Sequence, residues 1–518
     1  MRKIFSVLLS AIMVFALIGC NPQQEGSKDE PMTLKIGAYW DLKYGGQEPL
    51  SLITDFLTGI DKNYNATPAL INDWDINEDA TEYTLHIQKN VTFHDGSVFD
   101  AKVCKYDLEK LGAKFYATYA YMLKSIEIVD DNTLTVKFDA PHLFFMEELF
   151  KIPALPVDSL DNEGNITDYI GTGLYKLDSY EENVEATFIK NENYWNTEKN
   201  SDVDIVEYYV IADGDARMTA LESGQVDVVG YSEMGRMIPA SSVGQFETKN
   251  GYKVIREDKT AYAGVYSVTS NYLSAPMDDV NLRRAIAFAI DRDALVETVF
   301  FGEAFPAPYM MNPAFIGGSE KVEPFTVNIE KAKQILSDGD YVLENDVLTK
   351  DGKSIELDFI TLAGTEFMDF GVFIQSELAK LGIKVNLESL DYSRYAEKMM
   401  NLEYDIAFNN SWFAPTVSIL SYLGTEATDM SNGGGLGFAV TEEIQKLANE
   451  MMLATNKEDF QNIADKFWIA MYDACPSAPT YAASRAAVHS DKWTGFAYDR
   501  NIFKIDLSKV TKINEQSK

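Results

Sequence analysis

Two hydrophobic periods alternate along the chain. Tyr83-Thr84-Leu85-His86-Ile87 and Leu134-Thr135-Val136-Lys137-Phe138 switch between apolar and polar at every residue, the pattern of a strand with one face buried. Phe93-His94-Asp95-Gly96 reads as a further strand ending in an Asp-Gly turn. These signals predict a small, largely antiparallel region over residues 58–173. Farther on the period becomes helical. Leu282, Ala285, Ile286 and Ala289 fall at i, i+3, i+4 and i+7 behind Asp279, a residue suited to cap the first turn, and Asp291 is placed to cap a second helix that stops at Phe301-Gly302. A third helix carries Ile374, Leu378 and Leu381 on one face, stops at Gly382 and runs into the alternating strand Ile383-Lys384-Val385-Asn386-Leu387. Strand and helix signals interleave after the first thirty or so residues without an internal repeat. The prediction is an α/β fold, a mixed sheet covered by helices.

The start of the chain follows neither period. Arg2 and Lys3 precede an apolar run from Ile4 to Ile18 broken only by Ser6 and Ser10. That run is short for a membrane span and has the layout of a secretory signal peptide, residues 1–19. It closes on Leu17-Ile18-Gly19-Cys20, which resembles the bacterial lipobox; the resemblance implies cleavage after Gly19 and acylation of Cys20. An ordinary cleaved signal followed by an unrelated cysteine is the alternative. Asn21 to Pro31 is polar, charged and aperiodic, so residues 20–31 read as a tether. Lipid-anchored on the extracytoplasmic face of a cell membrane is the location these features predict.

Composition narrows the function. At 518 residues the chain exceeds what one hydrophobic core organises, and two or three lobes are expected. The formal charge of -35, which becomes -37 once Arg2 and Lys3 leave with the leader, excludes the basic surface that nucleic-acid binding needs. Apart from Cys20 there are Cys104 and Cys475, read as free buried thiols, with pairing left open because sequence alone does not decide it. No Gly-x-Ser-x-Gly elbow, His-Glu-x-x-His, Cys-x-x-Cys or phosphate-binding glycine loop is present, and Ser431 to Gly437 lacks the lysine such a loop requires. Histidines 86, 94, 142 and 489 show no metal-ligand spacing and read as structural or solvated. Neither catalytic residues, nor a metal site, nor a cofactor is predicted.

Aromatic residues stand out instead. Tyr39-Trp40 directly follows the first predicted strand, and Trp412-Phe413 follows the strand predicted over Tyr404 to Phe408. Positions just past strand ends are where open α/β sheets hold ligands, although core packing explains an aromatic pair as well.

Separated segments in one order carry a resemblance. Pro276 to Ala307 (PMDDVNLRRAIAFAIDRDALVETVFFGEAFPA), Phe93 to Ala101 (FHDGSVFDA), Ile170 to Tyr175 (IGTGLY), Asp213 to Val229 (DGDARMTALESGQVDVV) and Phe373 to Leu387 (FIQSELAKLGIKVNL) together resemble the extracellular solute-binding proteins, family 5, of peptide and nickel ABC importers. The resemblance, over about residues 33–505, implies a periplasmic-binding-protein-like α/β body with a ligand cleft and a hinge. Lobe I is expected from residues 32–57, 174–264 and 476–518, a small extra lobe from 58–173 and lobe II from 265–475. A monomer, a permease and ATPase complex as partners and no enzymatic activity are implied as well. Arg283, Arg284 and Gly173 fall in the family's architectural segments. The peptide binders' aspartate after the tryptophan matching Trp412 is missing from Trp412 to Leu420, the nickel type's histidine there is missing too, and its carboxylate-binding arginine is matched only by Lys151. Tyr121 stands where the nickel type has a cleft tryptophan. Tyr39, Trp40, Tyr121, Trp412 and Phe413 are therefore the candidate ligand contacts. A short peptide or peptide-like ligand is the leading expectation, nickel or a small metal chelate the alternative; a surface sensor without transport and a surface hydrolase are the readings from other classes.

Overall fold

Three larger sheets, packed on separate hydrophobic clusters, carry the interleaved pattern. The computed structural model describes residues 31–44, 47–61, 63–112, 114–115, 118–157, 159–161, 165–230, 238–257, 264–310, 313, 317–412, 441–498 and 505–513. Cys20, Phe413 and the glycine run at 431–437 lie outside them.

The first sheet has seven strands in the order Tyr252–Arg256, Ala486–Ser490, Val228–Val229, Thr33–Ala38, Ile205–Val210, Glu185–Lys190 and Tyr175–Glu181. Thr33–Ala38 runs parallel to both its neighbours, and its Leu34, Ile36 and Ala38 are fully buried. Such a strand needs cover on both faces. The second sheet has six strands, Ala304–Pro306, Ser477–Ala483, Gly264–Ser270, Ile406–Trp412, Glu356–Leu362 and Lys384–Leu390. The third has four antiparallel strands, Ile71–Ile76, Glu82–Ile87, Thr133–Phe138 and Leu123–Asp130, covered by the helix Ala101–Leu111. Its core gathers Leu85, Leu134, Val136, Phe99, Leu108 and Phe145. Among the described residues no helix is long and apolar enough to cross a membrane.

The helical period locates the cover of the six-stranded sheet. Helix Val280–Ala289 starts where Asp279 accepts from the backbone N–H of Asn281 at 2.8 Å, and helix Arg292–Val299 where Asp291 accepts from Ala294 N–H at 2.9 Å. Each cap satisfies an N–H that the helix leaves unbonded. Leu282, Ala285, Ile286 and Ala289 are all buried, as the spacing required. Helix Thr365–Ala379 ends three residues before Gly382, whose φ of 74° turns the chain into Lys384–Leu390; a Cβ there would lie 2.7 Å from the Leu348 amide nitrogen.

Three expectations need correction. The segment around Phe93 forms only an isolated bridge between Thr92 and Val98. Phe93 N–H bonds to Ser97 O at 2.8 Å and Asp95 takes both the N–H and hydroxyl of Ser97, so the backbone is satisfied within the turn and adds no strand to the sheet. The strand expected over Tyr404 to Phe408 is Ile406–Trp412: it pairs antiparallel with Gly264–Ser270 along its whole length, which carries it through the polar Asn409-Asn410-Ser411. Finally, Ser477–Ala483 pairs with Gly264–Ser270 in the six-stranded sheet, so the chain returns to the seven-stranded lobe at Ser484-Arg485 and not at residue 476.

Candidate functional site

The two large sheets are joined at two places, between Glu257 and Gly264 and between Ala483 and Ala486. The pairing directions decide what these joints face. In the seven-stranded sheet the C-terminal ends of Thr33–Ala38, Val228–Val229 and Tyr252–Arg256 lie on one edge with the start of Ala486–Ser490. In the six-stranded sheet the C-terminal ends of Glu356–Leu362, Ile406–Trp412 and Ser477–Ala483 share an edge with the start of Gly264–Ser270. Short stretches of chain link those two edges, at the carboxyl ends of strands where open sheets place ligands.

Ion pairs hold the joints. Glu257 donates its backbone N–H to Arg485 O at 2.9 Å, and its carboxylate takes the Arg485 guanidinium at 2.7 Å and the Arg485 N–H at 3.3 Å. The two side chains are 3% and 5% exposed, and the guanidinium also lies 4.6 Å from the centre of the Tyr498 ring. Burial alone would lower the Arg485 pKa, but the Glu257 carboxylate outweighs it and the net shift is upward. One residue away, Arg256 makes a bidentate pair with Glu303 across the two sheets, through Nε at 2.8 Å and Nη2 at 2.5 Å, and its Nη1 lies 2.6 Å from Glu247. Those bonds, with Glu303 foremost, hold its pKa above the ordinary guanidinium value. The only sequence signal for this machinery was a lone arginine in the apolar run Ala482 to Val488 and a Glu behind the strand Tyr252–Arg256.

The aromatic candidates distribute over the lobes. Tyr39 and Trp40 follow the strand Thr33–Ala38 as expected, their rings edge to face at 4.8 Å. Tyr39 is 38% exposed, and the Arg217 guanidinium lies 5.8 Å from its ring centre. Trp40 accepts the Tyr208 hydroxyl at its carbonyl, 3.0 Å, while its indole N–H is buried with no acceptor among the described residues. Trp412 is the last residue of its strand, opposite Gly264, and so stands on the linked edge of the six-stranded sheet. Tyr121 ends a short 3-10 helix, Thr118–Tyr121, in the four-stranded lobe; the next residue, Met122, packs against the cores of both that lobe and the six-stranded one. Tyr39 and Trp40 thus follow a strand of the seven-stranded sheet, Trp412 ends a strand of the six-stranded sheet, and Tyr121 ends the short helix before Met122.

The histidines serve architecture. His94 takes the Gly171 N–H at Nδ1, 3.3 Å, and contacts Gly173 O through Nε2 at 3.1 Å, so a neutral ring protonated at Nε2 fits both bonds. Burial lowers its pKa to about 4, against a partial rise from the Gly173 bond. It holds the Gly171-Thr172-Gly173 turn, where a Cβ on Gly171 would fall 1.9 Å from Ile53 O and one on Gly173 2.5 Å from Ile53 C. His142 is buried with Nε2 3.3 Å from Glu148, His86 faces Asp75 at 3.5 Å and His489 contacts Ser490 O at 2.8 Å. Cys104 and Cys475 are both free and buried. Arg283 is consumed by the carbonyls of Met277, Ala474 and Cys475. Among the described residues no three His, Cys, Asp or Glu side chains gather as a metal cage.

Comparison with known proteins agrees with this geometry. Oligopeptide-binding protein OppA of Bacillus subtilis (strain 168) is 23% identical, with 97% of this chain and 100% of that protein covered. Heme-binding protein A of Haemophilus influenzae is 23% identical over 80% of this chain and 78% of its own length. The crystal structure of NikA from Brucella suis in complex with Fe(III)-EDTA superimposes with a TM-score of 0.82 at 18% identity, covering 92% of this chain and 100% of that one, which establishes the periplasmic-binding-protein-like fold. Other relatives are named for binding dipeptides, glutathione and nickel. Residues 65–429 match the family of bacterial extracellular solute-binding proteins, family 5 (middle), and the chain belongs to that family.

Proposed function

We propose that the chain captures a short peptide or peptide-like solute in the cleft between its two large lobes and delivers it to a membrane permease of an ABC importer. The observation that carries this reading is the pair of short joints between strand-end edges, with Tyr39 and Trp40 on one edge and Trp412 on the other. Tyr39 is 38% exposed, and phenol and indole rings suit a solute of mixed character, while the Trp40 N–H is a donor that no described residue uses. Family relatives named for oligopeptides and for nickel support the solute class. A small metal chelate is the second reading, favoured by one feature: no acidic residue follows Trp412 as far as Leu420, and a buried α-amino group needs a carboxylate partner. Acylation at Cys20 would hold a monomeric body at the outer face of the membrane through the 20–31 tether.

Native mass spectrometry of protein purified without refolding tests the ligand. A bound mass that fragments into amino-acid residues supports the peptide reading, a metal isotope pattern the chelate, and a product mixture that grows with time would overturn both in favour of a hydrolase.

A further inference from the structure

The four-stranded lobe has no chain connection to the six-stranded lobe, yet it grips it. It is fastened to the seven-stranded lobe through Asp55, whose carboxylate takes the Tyr194 hydroxyl at 2.8 Å, the Trp195 N–H at 2.7 Å and the Thr172 hydroxyl at 3.1 Å, with Gly173 N–H on Ile53 O at 2.9 Å beside it. The Thr172 and Gly173 bonds tie the two lobes together where the chain passes between them. On the other side the segment Phe144 to Glu148 faces two ways. Phe145, Met146 and Glu148 are buried in the four-stranded lobe, whereas Phe144 meets Phe460 of the six-stranded lobe edge to face at 4.7 Å and Glu147 reaches Lys457 at 3.6 Å. Lys457 also donates to Asn65 Oδ1 at 3.1 Å. Asn65 is held by the Asp61 carboxylate, which accepts its backbone N–H at 2.9 Å and its side-chain N–H at 3.1 Å. Tyr64, Met122 and Leu143 complete the contact against the six-stranded core.

We propose that this contact is a clasp on cleft closure: Phe144, Glu147 and Asn65 hold Phe460 and Lys457 when the cleft is shut and let go when the lobes part. The clasp rests on the closing-cleft reading above. A rotation about the joints at Glu257 and Arg485 that parted the six-stranded lobe from the other two would pull this contact apart, because no chain connection bridges it. Within this contact the aromatic pair and the ion pair, whose lysine is 61% exposed, are each of a size to bias an equilibrium. The third lobe thereby sets how much of the protein is shut at a given occupancy.

The test is single-molecule energy transfer between dyes at Glu127→Cys in the four-stranded lobe and Lys446→Cys in the six-stranded lobe, both exposed, in a chain carrying Cys20→Ser; Cys104 and Cys475 are buried and take no dye. The protein is compared as isolated, with the solute it carries, and after stripping in guanidinium and refolding. Wild type should show a near and a far population whose ratio changes on stripping. Lys457→Gln and Phe144→Ala should each lower the near-to-far ratio several-fold and together about tenfold. Lys457 is exposed, so Lys457→Gln keeps the test open if Phe144→Ala folds poorly. Two populations with an unchanged ratio in both variants would overturn the clasp alone. A single unresponsive population in every protein would overturn the closing cleft, and the clasp with it.

Discussion

Removing Glu257 should unbalance the joint more than any other single truncation in the cleft. In Glu257→Ala the Arg485 guanidinium, only 5% exposed, keeps its stacking on Tyr498 but loses the carboxylate at 2.7 Å, and the Arg485 N–H loses its acceptor at 3.3 Å. Breaking a buried pair from one side costs about 3–5 kcal/mol, to which a lost hydrogen bond adds about 1 kcal/mol. Replacing both partners by methionine removes the desolvation of both charges together with their attraction, so the double variant should sit within about 2 kcal/mol of wild type. The assay is urea unfolding followed by tryptophan fluorescence, with Glu257→Met and Arg485→Met as the two singles of the double-mutant cycle. A Glu257→Ala loss below about 1 kcal/mol, or a double variant as unstable as the sum of the singles, would show that the pair is not what holds the joint.

Gly173→Ala places a Cβ 2.5 Å from Ile53 C, a backbone atom that has to shift, and should destabilise by about 1–3 kcal/mol or more in the same unfolding assay. His94 has its folded-state pKa lowered from 6.5 to about 4 by burial, so the unfolded chain binds the extra proton first: stability is fully present above about pH 6.5 and is lost as the pH falls toward 4, by at most about 3 kcal/mol, a slope that the difference between wild type and His94→Asn unfolding should isolate. Trp40→Phe keeps a six-membered aromatic ring and deletes the buried N–H with the five-membered ring that carries it, so the melting temperature should fall little while the co-purified solute is retained less well; unchanged retention would remove Trp40 from the site. Cys20→Ala should leave the protein unprocessed or release it into the medium, and a variant still cut after Gly19 and membrane-bound would refute the anchor.

Local physics made part of this protein legible in its sequence. The spacing of Leu282, Ala285, Ile286 and Ala289 behind Asp279 fixed a helix, its buried face and its start, because capping and helical period act within a few residues. The alternation at Tyr83–Ile87 and Leu134–Phe138 likewise fixed two strands and which face lies inside. Tyr39 and Trp40 could be placed past a strand end for the same reason. What sequence left undecided depended on pairing with distant segments. Ile406–Trp412 extends through Asn409-Asn410-Ser411 only because Gly264–Ser270 offers a full ladder beside it. Ser477–Ala483 joins the six-stranded sheet because it pairs with that same strand, more than two hundred residues earlier in the chain. Arg485 with Glu257, and Lys457 with Glu147 and Asn65, are contacts whose partners no local pattern names. A charge in an apolar run signals that a partner is needed, and only the folded chain decides which one arrives.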